Sequence, residues 1–125
     1  MGTVKNITFC LLVVYLLALT GCGKKADETK PLSEVKAEAE KMTVEKLRSM
    51  ALTYKDAIMA KKSEIQTIAD KLKEIPVTKM LGDEAKELKT EIEALNKSVS
   101  ALNERFQTYY GKLKEKGGNV SGLKF

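Results

Sequence analysis

The sequence predicts an all-α protein, a long antiparallel helical hairpin of the coiled-coil kind. Three observations predict it. Apolar residues recur at alternating spacings of three and four along two runs of similar length. A proline-bearing link, residues 76–82, separates the runs and is short enough to turn one back on the other. The composition favours helix over sheet, with 31% charged residues, abundant Ala, Glu, Lys and Leu, and two prolines in 125 residues.

Taken in chain order, the first segment is not part of the hairpin. Residues 1–6, MGTVKN, are weakly basic, and residues 7–19, ITFCLLVVYLLAL, carry no charge. A spanning helix needs roughly 20 apolar residues. Thirteen suit the apolar core of a signal peptide, usually about 7–15 residues; an uncleaved membrane anchor is the alternative. The run then closes on Leu19-Thr20-Gly21-Cys22.

Those four residues resemble the lipobox of bacterial lipoproteins, in which an aliphatic residue and two small ones precede a cysteine. The resemblance implies diacylglyceryl transfer to the Cys22 sulfur, cleavage after Gly21, and acylation (commonly palmitate) of the new amino terminus. Several acyl chains, at about 0.8 kcal/mol per buried CH₂, make a lasting anchor. It also implies a place in the bacterial cell envelope. In such families Asp after the cysteine retains the protein in the inner membrane. Gly23 stands here, which favours the outer membrane.

Cysteine usage agrees with that reading. Cys10 leaves with residues 1–21 and Cys22 is consumed by lipid, so no thiol remains for a disulfide. Histidine is absent, which removes the usual zinc, haem and iron–sulfur ligand sets and every nucleophile–His pair. We expect no metal, no cofactor and no catalytic residues. The carboxylate pairs Glu87/Glu91 and Asp70/Glu74 lie at i,i+4 on Lys-rich helices and read as charged faces. The net charge of +5 is interleaved with acidic residues and few aromatics, unlike a clustered nucleic-acid-binding face.

Residues 22–42 read as the lipidated cysteine, a polar tether through Lys30 and Pro31, and a helical stalk. Ser33 is a candidate cap, and SEVKAEAEK has helix propensity without a good apolar stripe, so the stalk is expected to be solvated. Residues 43–116 carry the hairpin. Its first seam runs Val44, Leu47, Ala51, Tyr54, Ile58, Lys61, Ile65, Ile68, Leu72 and Ile75, with Lys61 as its polar entry. Pro76 ends it and pushes Ile75 out of the helical region. The second runs from Leu81 and Ala85 through Leu88, Ile92, Leu95, Val99, Leu102, Phe106 and Tyr109 to Leu113. The second helix is expected to begin at Asp83 and end before Gly117-Gly118. An antiparallel pairing puts Ile75 opposite Ala85, Leu72 opposite Leu88, Tyr54 opposite Phe106, Ala51 opposite Tyr109 and Leu47 opposite Leu113.

Residues 117–125 form a basic tail. A hairpin whose first helix starts near the anchor returns this tail toward the membrane, where Lys112, Lys114, Lys116 and Lys124 meet anionic headgroups; a frayed terminus is the alternative. Met50, Leu52, Met59 and Tyr110 lie off the seam. They form a candidate interaction strip for a second copy of the chain or for an envelope protein. The functional expectation is a membrane-anchored structural or interaction protein. The alternative is a client-binding assembly factor, chaperone or pilotin-like module.

Overall fold

The computed structural model describes residues 25–125. The readings made for residues 1–24, including Gly21 and Cys22, lie outside the described residues. Within them, helix α1 spans Leu32–Lys41, α2 spans Val44–Glu74, a 3₁₀ turn covers Val77–Lys79, and α3 spans Asp83–Glu115. Helices α2 and α3 pack along their length as the antiparallel hairpin that the heptads predict. At 1.5 Å per residue, each is a rod roughly 45–50 Å long.

The boundaries follow local chemistry. Thr43 caps α2, its Oγ1 accepting from the Lys46 amide at 3.3 Å. Ile75 is extended at φ −71°, ψ 127° ahead of Pro76, so α2 stops at Glu74. At the far end, the Gly118 amide donates to the Leu113 carbonyl at 2.9 Å and the Gly117 amide to Lys114 at 3.0 Å. That paired closure needs a left-handed residue, which Gly117 supplies at φ 74°. Gly118 has a different reason: a Cβ there would overlap the side chains of Leu113 and Val44.

The core sits at one end of the rod. Leu47, Ala51, Tyr54, Ile58, Leu102, Phe106, Tyr109 and Leu113 are buried around the end where α2 starts and α3 finishes. There, both flanks of the two-helix seam are roofed. Residues 25–41 run down one flank, parallel to α3, and bury Val35 and Ala39. The tail climbs the other flank and buries Leu123. Toward the tip nothing roofs the seam among the described residues. Ile65, Leu72, Ile75, Leu88, Ile92 and Leu95 are all partly exposed there, and of the tip seam Ile68 and Ala85 are buried.

Four expectations are corrected. The stalk is docked against α3, because Val35 and Ala39 at i,i+4 fill the flank beside Leu113 and Tyr109. Its helix starts at Leu32 after Pro31, with Ser33 inside it. Tyr54 meets the ring of Tyr109, with centroids 5.4 Å apart, while Phe106 stacks on Tyr110 at 5.6 Å and takes the edge of Phe125 at 5.1 Å. Tyr54 therefore finds its ring partner one turn further along α3 than the paired heptads suggest. Leu81 does not start the second seam. It lies in the turn and is 85% exposed.

Candidate functional site

Two side chains fasten the N-terminal segment. The Tyr54 hydroxyl accepts from the Asp27 amide at 3.1 Å and donates to the Asp27 carbonyl at 3.2 Å. Arg105, 7% exposed, donates from Nε and Nη2 to the Lys30 carbonyl at 3.0 and 2.6 Å, and from Nη1 to Ala101 at 2.7 Å. One guanidinium therefore closes a loop 75 residues apart in sequence, where a lysine would offer no rigid fork. Nearer the base, Lys116 donates to the Glu40 and Met42 carbonyls at 2.9 and 2.8 Å, and Lys112 pairs with Glu40 and Glu115.

The electrostatics follow these contacts. The hydrogen bond from Lys112 holds the Glu40 carboxyl below its usual range, and the Glu40 bond in turn raises Lys112. Glu38 raises Lys30 in the same way. Thr29 bonds to Asp27 through its hydroxyl and amide, at 2.6 and 2.8 Å, and lowers the Asp27 carboxyl. Burial pushes the Tyr109 phenol up to about 12. Its hydroxyl is buried and has no hydrogen-bond partner among the described residues.

Cations also fasten the tail. Arg48 donates to the Asn119 carbonyl at 2.7 Å, and Lys55 donates to Gly122 and Lys124 at 2.7 and 3.0 Å. The Lys62 ammonium lies 5.0 Å from the Phe125 ring centroid. The basic tail is thus folded up the rod, with Leu123 sealed against it.

The four residues of the expected interaction strip do not share one surface. Met50 lines a groove of about 580 Å³ under the N-terminal segment, with Lys25, Ala57, Lys61 and Leu102. Tyr110 lies in a separate hollow with Phe106 and the tail. Leu52 packs against the core, and Met59 alone of the four is more than half exposed, at 51%. The largest apolar exposures lie elsewhere, at Val77 (89%) and Leu81 (85%) in the tip turn.

Sequence reasoning missed Arg105, Tyr54 as a latch for the N-terminal segment, and the tip residues as an exposed pair. Arg105 had one signal: it flanks the seam beside Phe106, where a long cation can reach across to a neighbouring backbone. Among the described residues no group of three His, Cys, Asp or Glu is arranged to hold a metal ion. No helix among them is long and apolar enough to cross a membrane. Comparison with known protein families, with curated proteins and with solved structures finds no significant match, so the functional reading rests on this chain alone.

Proposed function

We propose that the chain is a lipid-anchored protein of the bacterial envelope with a structural or protein-interaction role, outer membrane favoured, and that its helical hairpin is the part offered to other molecules. The observation that carries this reading is Leu19-Thr20-Gly21-Cys22 at the end of an uncharged run too short to span a bilayer. The hairpin is compatible with it. Its polar side chains near the base are engaged in holding the N-terminal segment and the tail, and its two most exposed large apolar residues, Val77 and Leu81, lie at the other end.

The test is processing at Cys22. The parent chain, expressed in a bacterium fed labelled palmitate, takes up label and is shortened by the 21 residues before the cysteine. Cys22→Ser accumulates as an unlabelled precursor. A serine variant that is still cut after Gly21 and still labelled contradicts the proposal.

A further inference from the structure

The fold fixes where an anchor at Cys22 would hold the rod. Lys25 and Lys61 line the same groove, so the described chain begins at mid-rod and not at the base. The segment is fastened there by Tyr54 and Arg105. Cys22 lies three residues before Lys25, a reach of at most about 11 Å. The groove spans Met50 to Lys61 on α2, so the tip at Ile75 lies at least about 21 Å along the helix from it and the base at Val44 about 9–25 Å. A rod standing on its tip would lift Lys25 beyond the reach of that link. A rod lying along the bilayer would not.

Lying flat brings the tip to the same membrane. Val77 and Leu81 are among the most exposed large apolar residues described, and they sit together in the turn after Pro76. Around them Lys71, Lys73 and Lys79 are balanced by Asp70, Glu74 and Asp83. The turn therefore carries little net charge to select anionic lipid. Two side chains are also far too few for the roughly 1,200 Å² of a stable protein interface, whereas a bilayer surface accepts isolated apolar residues. We propose that the tip turn, through Val77 and Leu81, is a second membrane contact that inserts into the bilayer holding the Cys22 anchor. The proposal rests on lipidation at Cys22 and adds an orientation to it.

The test uses the full lipidated chain carrying Val77→Cys. The only other cysteine after Gly21 is Cys22, which the lipid occupies, so the new thiol alone takes an environment-sensitive fluorophore. The labelled protein is placed in zwitterionic phosphatidylcholine vesicles with and without nitroxide-bearing lipid. Quenching of at least about twofold is expected, retained in high salt because apolar insertion is not screened, and lost when Leu81→Asp is added. A fluorophore that stays in water while palmitate label remains at Cys22 overturns the tip contact and leaves the anchor standing. Quenching abolished by salt overturns it in favour of electrostatic adsorption. A disulfide joining the introduced thiols of two unlabelled copies in the membrane overturns it in favour of self-association. No palmitate at Cys22 overturns the anchor itself and removes the link on which the orientation depends.

Discussion

The base and the tip of the rod share one heptad seam and differ in what lies over it. At the base, Leu47, Tyr109 and Leu113 are fully buried; at the tip, Leu72, Leu88 and Ile92 occupy equivalent seam positions and remain partly exposed. The base seam adds Tyr54, Phe106 and Tyr109 to aliphatic residues like those of the tip, yet aliphatic Leu47 and Leu113 are fully buried where Leu72 and Leu88 are not. A two-helix seam has two open flanks, and among the described residues only the base has polypeptide to cover them. Residues 25–41 and 117–125 serve as the missing third and fourth walls of a bundle. The large side chains at the base owe their full burial to segments outside the hairpin, whereas at the tip the two helices alone bury only Ile68 and Ala85.

Large-to-small substitutions should expose that asymmetry most. Leu113→Ala at the base is expected to cost about 3–5 kcal/mol by denaturant unfolding, and Leu88→Ala at the tip about 1–2. Equal losses would mean that the roof over the base adds little. Next in size is the latch. Arg105→Met keeps the apolar stem but leaves the Lys30 carbonyl without its donor, at a cost of about 1–3 kcal/mol. Amide exchange within residues 25–41 should then rise while the tip is unchanged. If exchange rises across the whole rod together, the segment is integral to the fold and not a separate wall.

A smaller effect sharpens the register. Tyr54→Ala and Tyr109→Ala, singly and together, should couple by roughly 0.5–1.5 kcal/mol, because their rings touch. Tyr54 and Phe106 should lie closer to additive. A stronger coupling to Phe106 would restore the pairing expected from the heptads. The smallest effect at neutral pH is at the Tyr109 hydroxyl. Its phenol is raised by burial to about 12 in the folded chain. The unfolded chain releases that proton near pH 10 while the folded chain keeps it. Stability must therefore fall as pH rises from about 10 toward 12. Tyr109→Phe should leave neutral stability no lower and remove that part of the alkaline fall. An identical alkaline slope in the variant would place the phenol in contact with solvent.

The hairpin was legible in the sequence because its information is local. Heptad spacing, Pro76 and Gly117-Gly118 each act within a few residues, and the helices end where those signals stand. The walls were not legible, because their partners are distant. Val35 and Ala39 are small apolar positions in a stretch, LSEVKAEAEK, with no regular apolar stripe. They become a core face only against a flank built by residues about 70 further along. Leu123 looks like a scattered apolar residue beside Val120 and Phe125 until Arg48 and Lys55 tie that tail down. The aromatic layer lies one turn off the paired heptads, since heptads fix which face a residue occupies but not which ring it reaches. Of the candidate site residues, Cys22 and Gly21 lie outside the described residues. Met50 and Tyr110 lie in different hollows, one under the N-terminal segment and one beside the tail, because apolar character alone said nothing of the segments that would cover them.

Native-state amide hydrogen exchange on the full chain tests the central claim most directly, since it reports the two halves of each helix in one experiment. The account predicts that amides of residues 47–58 and 102–113 exchange at least about tenfold more slowly than those of residues 64–72 and 86–95, although all lie inside regular helix. Equal protection along both helices would contradict it, and would show that the seam alone, without the N-terminal segment and the tail, holds the rod together.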